Sequence, residues 1–233
     1  MVIEALGRGE QIIILRKGGI HEGRGGFKMD QTEFWLFSTL YHQQSESVIV
    51  NAGKRFKSIA ASFPPDDTLQ LKYFARVVDW RKLDDEEAAL KLEGQHIWKD
   101  SVIRDRFSWG REESIFALAV RIYKLAKPID LPMQNEYGGC KSWIELTDEP
   151  VSNPAQPVLD DDTFKTAVSE VNDKTKNNPS EIKVAISHGN RVRYASRALV
   201  PFNRDSAGDF YKIHGVYLYS VNVLEQFVSL AEG

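Results

Sequence analysis

The sequence predicts an α+β fold built on a largely antiparallel sheet, and three observations carry that prediction. Thr68 to Leu83 alternates apolar and polar side chains, with Leu69, Leu71 and Tyr73 on one side, as a half-buried strand requires. Ile115 to Leu125 is a strongly apolar run centred on Phe116-Ala117-Leu118-Ala119-Val120, the pattern of a buried strand. Around these two segments stand short stretches bounded by capping residues and prolines, which read as helices.

Taken in order, Val2–Leu6 and Gln11–Arg16 read as two strands of a hairpin around Gly7-Arg8-Gly9-Glu10. Five glycines then fall within residues 18–26. A phosphate cradle would need a Gly-Lys-Ser/Thr ending or G-x-G-x-x-G spacing, and neither occurs, so a loop is expected. Glu33–Ser38 is an aromatic strand. Residues 46–62 place Ile49, Ala52, Phe56 and Ile59 at helical spacing, and Pro64-Pro65 stops the helix. Asp84 is expected to cap a helix that runs to Glu93 and ends at Gly94. Ser101–Trp109 reads as helical. An irregular path follows the strand at 115–125, through Pro128 and Pro132. Residues 147–162, with Pro150, Pro154, Pro157 and Asp160-Asp161-Asp162, read as a linker and helix N-terminus, and Asp162–Val171 as that helix. Ile182–Ser187 and Val192–Ala195 form a predicted hairpin over His188-Gly189-Asn190-Arg191. A strand at Val216–Tyr219 and a helix at Val221–Leu230 close the chain. The expected division is a module at 1–146, a linker and helix at 147–172, and a segment at 173–233.

Charge narrows the function classes. Residues 1–146 hold 21 Lys/Arg and 21 Asp/Glu, which leaves 9 of the 30 cations and 12 of the 33 acids to account for the net −3. Neither part has the basic excess of a dedicated nucleic-acid binder, which argues against DNA or RNA as the main partner. Nucleic-acid binding by the N-terminal module would require a clustered basic surface. No run of eighteen apolar residues and no secretory signal occurs, so no membrane partner is expected. Cys140 is the only cysteine, which excludes an internal disulfide and fits a reducing, cytoplasmic setting. Its chemistry stays open between a nucleophile and a small buried hydrophobe. The five histidines show no metal-ligand spacing, so no metal is expected.

In the N-terminal module, Arg16, Lys17, His42, Arg76, His96 and Trp98 are the residue types that together recognise an anionic or nucleobase ligand. The competing reading makes the two histidines structural and the aromatics core. Leu15-Arg16-Lys17-Gly18-Gly19-Ile20, Phe34-Trp35-Leu36-Phe37 with His42-Gln43, Phe74-Ala75-Arg76-Val77, His96-Ile97-Trp98 and Tyr137-Gly138-Gly139-Cys140-Lys141-Ser142-Trp143 lie within this module. On these pieces residues 1–146, extending to about 172, resemble the uncharacterised bacterial family "domain of unknown function 1802". That resemblance implies no activity.

The tail carries a second set of motifs. They are Asn178-Pro179-Ser180-Glu181-Ile182-Lys183-Val184, then Tyr194 with Ser196-Arg197-Ala198 and Pro201-Phe202 with Arg204-Asp205, and finally Gly215-Val216-Tyr217 with Tyr219. Residues 173–233 thereby resemble a C-terminal fragment of the 3-deoxy-manno-octulosonate cytidylyltransferases, the CMP-Kdo synthetases. The resemblance implies a truncated α/β nucleotidyltransferase-like segment, with Arg197, Arg204, Tyr217 and His214 left from a sugar-acid site. In the family the histidine stands one place earlier, where this chain has Ile213, and a one-residue shift on a strand reverses the face. Arg197 and Arg204 read equally as solvated cations, and Tyr217 as a strand aromatic. The family's CTP-cradling loop and its two metal-binding aspartate motifs do not occur in these residues. No catalytic residue is therefore assigned. Mg²⁺ and CTP are expected only if another chain supplies the missing half. The expectation is a mosaic in which a binding or interaction module is joined to a segment that is not catalytic alone and self-associates through the retained subunit surface. Whether the whole is an enzyme stays undecided; the alternative is CMP-sugar-acid synthesis with a complementing chain.

Overall fold

Period-two alternation along 68–83 and apolar continuity along 115–120 seed two long strands that lie side by side at the centre of the computed structural model. The structure describes residues 1–17, 32–40, 44–110, 112–138, 143–147, 155–176, 182–187, 191–198 and 211–212. In chain order its elements are α1 (Val2–Gly7), β1 (Ile13–Arg16), β2 (Glu33–Phe37), α2 (Gln44–Ser47), α3 (Val50–Gly53), α4 (Phe56–Ala61), β3 (Thr68–Leu83), α5 (Glu86–Leu90) and α6 (Asp100–Ser108). They continue as β4 (Ile115–Pro132), β5 (Ala155–Pro157), α7 (Asp161–Thr175), β6 (Lys183–Ile186), β7 (Val192–Ser196) and β8 (Tyr211–Lys212). The chain divides into two compact units, Met1–Lys176 and Asn177–Gly233.

The first unit is a five-stranded antiparallel sheet ordered β1-β4-β3-β2, with β5 paired to β4. On one face Ile13, Leu15, Leu83 and Ile115 pack against Ala89 of α5, Ile103 and Phe107 of α6, and Phe164 and Val171 of α7. On the other, Leu6 of α1 joins Leu36, Tyr73, Ala75, Leu118, Val120 and Ile122. Each fully buried Leu or Ile of these layers contributes about 1.5–3 kcal/mol, so the two-faced burial is the main support of the sheet.

Several expectations are corrected. Val2–Leu6 is the helix α1, not a hairpin strand: Val2, Ile3 and Leu6 share one helical face, and that face closes on the sheet. Gly7 sits so close to Tyr73 that a Cβ there would lie 2.2 Å from the ring. The single helix expected at 46–62 is broken into α2, α3 and α4. Ile49 is extended (φ −58, ψ 151) because Val48 bridges Trp98, and the Ile49 N–H donates to the Ile97 carbonyl at 2.8 Å. β4 does not stop before Pro128. The register steps from Leu71↔Ile129 to Tyr73↔Lys124, so Pro128 falls in a bulge where no ladder donor is needed. The cap of α5 is Asp85 rather than Asp84, accepting the Glu87 N–H at 3.1 Å. The Pro-rich stretch contains β5, and α7 begins at Asp161 behind an Asp160 cap and runs to Thr175.

In the second unit β6 lies between β7 and β8, all antiparallel, so the expected hairpin at 182–195 is present. The segments expected at 216–219 and 221–230 lie outside the described residues. No helix among the described residues is long and apolar enough to cross a membrane.

Candidate functional site

The C-terminal end of β1 distributes its two cations to opposite sides of the sheet, as strand alternation dictates. Arg16 lies on the α1 side, its guanidinium 4.6 Å over the Trp143 ring, and Trp143 meets Phe34 edge-on at 4.9 Å. These groups line an open cleft of about 810 Å³ whose walls include Leu36, Leu71 and Leu118. Lys17 points the other way. Its ammonium donates to the carbonyls of Phe107 at 2.5 Å and Ser114 at 3.0 Å and to that of Glu112. Three donors for three carbonyls make Lys17 a strut between α6 and β4, with none left for a ligand. Burial pulls its pKa below the ordinary lysine value, with Glu112 and Glu113 opposing.

Arg76 lies opposite Glu33 on β2 and forms an ion pair with it at 2.5 Å, while stacking 5.6 Å over Tyr123. It lines neither this cleft nor the larger one described next. His96 is buried, 5% exposed, and neither ring nitrogen makes a hydrogen bond of good geometry. Burial holds its pKa below the ordinary value; nearby Asp100 opposes this, and Lys174 of α7 adds to it. It lines neither cleft, a placement that suits the structural reading of this histidine. His42 and Cys140 lie outside the described residues, as do the glycines of 18–26.

Trp98 does face a cleft, the larger one, of about 880 Å³. What sequence reasoning missed is its companion. Arg106, in the last turn of α6, stands 4.1 Å over the Trp98 ring and donates to the Leu15 carbonyl at 3.3 Å. The packing of Ile103 and Phe107 into the core turns Val102 and Arg106 toward that cleft. Burial alone lowers the Arg106 pKa, with no carboxylate opposing it. Nothing in the local sequence separates Arg106 from Arg104, which forms an ion pair with Glu86. Only the turn of α6 against the sheet does so.

In the second unit Arg197 follows β7, is exposed, and its carbonyl accepts from the Lys183 ammonium at 3.2 Å. Arg204, His214 and Tyr217 lie outside the described residues. Among the described residues no cluster of three His, Cys, Asp or Glu side chains is arranged to hold a metal ion.

Comparison with known proteins agrees with both resemblances read from the sequence. A family model described as Domain of unknown function (DUF1802) matches residues 1–170. Separately, the chain is similar to 3-deoxy-manno-octulosonate cytidylyltransferases. It is 45% identical over 60 residues to that of Syntrophobacter fumaroxidans, a match covering 24% of each chain. It is 36% identical over 69 residues to that of Desulfatibacillum aliphaticivorans, covering 29% of this chain and 28% of the relative. It is 38% identical over 82 residues to that of Paramagnetospirillum magneticum, covering 34% and 32%. The chain thus spans about a quarter to a third of the length of these curated relatives. No solved structure matches it.

Proposed function

We propose that this chain, which belongs to the family described as Domain of unknown function (DUF1802), is a mosaic. Its N-terminal unit is a binding or interaction module, and its tail is a cytidylyltransferase-like segment that is not catalytic by itself. One observation carries the reading. The family model ends at residue 170, the chain's second compact unit begins at Asn177, and the similarity to the cytidylyltransferases takes in only about 60–80 residues. In this reading Arg197, Arg204, Tyr217 and His214 descend from a sugar-acid pocket. Nucleotidyl transfer depends on cations and metal held against the triphosphate, and the residues that would hold them have no counterpart among these 233.

The test is incubation of the purified chain with CTP, the sugar acid and Mg²⁺, with CMP-sugar formation followed by chromatography. No turnover is expected. Turnover that disappears in Arg197→Ala overturns the reading.

The 45% identity to one relative favours a second reading, in which a separate chain supplies the CTP half. Turnover that appears only when the N-terminal part of such a relative is added would establish it.

A further inference from the structure

We infer that the cleft at the Arg106–Trp98 stack binds a small organic anion, a carboxylate or a phosphate monoester that carries an apolar or aromatic body. The inference rests on the reading of the N-terminal unit as a binding module and names the site and ligand chemistry of that module.

Three other partly buried arginines show what neutralisation looks like in this fold. Arg121 has Asp161 and the Leu159 carbonyl, Arg55 has Glu10, and Arg81 has Asp79 together with Asn172 and Thr175. Arg106 has none of this. Among the described residues no carboxylate reaches it, and of its five N–H donors one meets the Leu15 carbonyl, at 3.3 Å. A guanidinium half withdrawn from water without a counter-charge bears part of the cost of desolvation, and an incoming oxyanion with two acceptor oxygens offsets it in bidentate geometry.

The cleft has the size of a small-ligand site, about 880 Å³ against the several hundred usual for such sites. Trp98, Ile59, Phe63 and Met133 offer apolar surface, while the Ser62 and Thr68 hydroxyls already donate to the Ser58 carbonyl and to Asp67 and leave the anion to Arg106. Among the described residues its charged groups are Arg106, Lys72 and the Met1 ammonium against Glu4 and Asp66. That near-balance disfavours a polyphosphate or a nucleic-acid backbone and suits one anionic group attached to an apolar body.

The experiment titrates the full chain with phenyl phosphate, with phenylacetate and with neutral phenylacetamide, by calorimetry and by the NMR shift of the Trp98 indole N–H. At least one of the anions is expected to saturate and to move the Trp98 signal, and phenylacetamide to do neither. Which anion does so distinguishes a phosphate from a carboxylate ligand. Arg106→Met is expected to weaken the anion about tenfold or more, and Arg106→Lys to keep part of the affinity. The inference is overturned if phenylacetamide binds as well as the anions, if Arg106→Met binds as the parent does, or if neither anion saturates. Should Arg106→Met not fold, saturation by an anion that leaves the parent's Trp98 signal unmoved overturns it equally. Failure here leaves the CTP assay untouched, and turnover in that assay leaves this titration untouched.

Discussion

The side-chain carbonyl of Gln11 accepts the backbone N–H of Ile97 at 3.1 Å, across 86 residues of chain. Its amide donates in turn to the Ile13 carbonyl at 2.8 Å, and the whole residue is buried. One side chain therefore ties the start of β1 to the segment that carries His96 and Trp98. Replacing it with an apolar residue of similar size strands two buried backbone groups. Gln11→Leu is expected to lower stability by about 1–3 kcal/mol, read from urea unfolding. A loss under a few tenths would mean that water serves these groups instead.

His96 gives the fold a pH dependence with a definite sign. Its folded pKa lies below the ordinary 6.5, so the unfolded chain takes up a proton that the folded chain resists. The stability it contributes is complete above that value and is lost as pH falls below it. The urea midpoint of the parent should drop between about pH 7 and about pH 5, and the drop should shrink in His96→Leu. Parallel profiles for the two proteins would refute this.

Phe164 and Val171 place α7 in the same apolar cluster as the sheet, and Arg121 stacks 4.7 Å over Phe164. A fragment ending at 176 is expected to melt cooperatively, and one ending at 146 to lose most of that transition. Phe164→Ala in the full chain should cost about 3–5 kcal/mol. If the shorter fragment melts as the longer one does, α7 is not part of the first core.

β7 is an edge of the second sheet among the described residues, and it exposes Val192 (55%) and Tyr194 (61%). An apolar edge strand of this kind recruits a partner. Light scattering across a dilution series should show self-association of the full chain, weakened by Tyr194→Lys and absent from a chain ending at 176. A full chain that stays monomeric at high concentration removes the idea.

β3 was legible in full, from Thr68 to Leu83, because period-two alternation reports a half-buried strand without knowledge of its neighbours. The two family resemblances were legible for a related reason: glycines, aromatics and charges at fixed offsets survive in the linear chain. Val2–Leu6 was not legible. Five residues that open on the β-branched pair Val2-Ile3 fit a strand or one helical turn equally, and the contact with Tyr73 and the sheet decides. The break at Ile49 was hidden for the same reason, since the bridge from Val48 reaches residue 98.

The sequence by itself therefore determined the sheet-rich fold class, the family and the partial likeness to the cytidylyltransferases. Only the tertiary structure decided what the candidate side chains do. Lys17 became a strut, Arg76 a surface ion pair and His96 a buried ring, while the unremarked Arg106 emerged as the guanidinium over Trp98. The physical reason is that charge and aromaticity are properties of a residue, whereas desolvation and the presence or absence of a counter-charge are properties of its surroundings. Those surroundings are brought together from segments tens of residues apart.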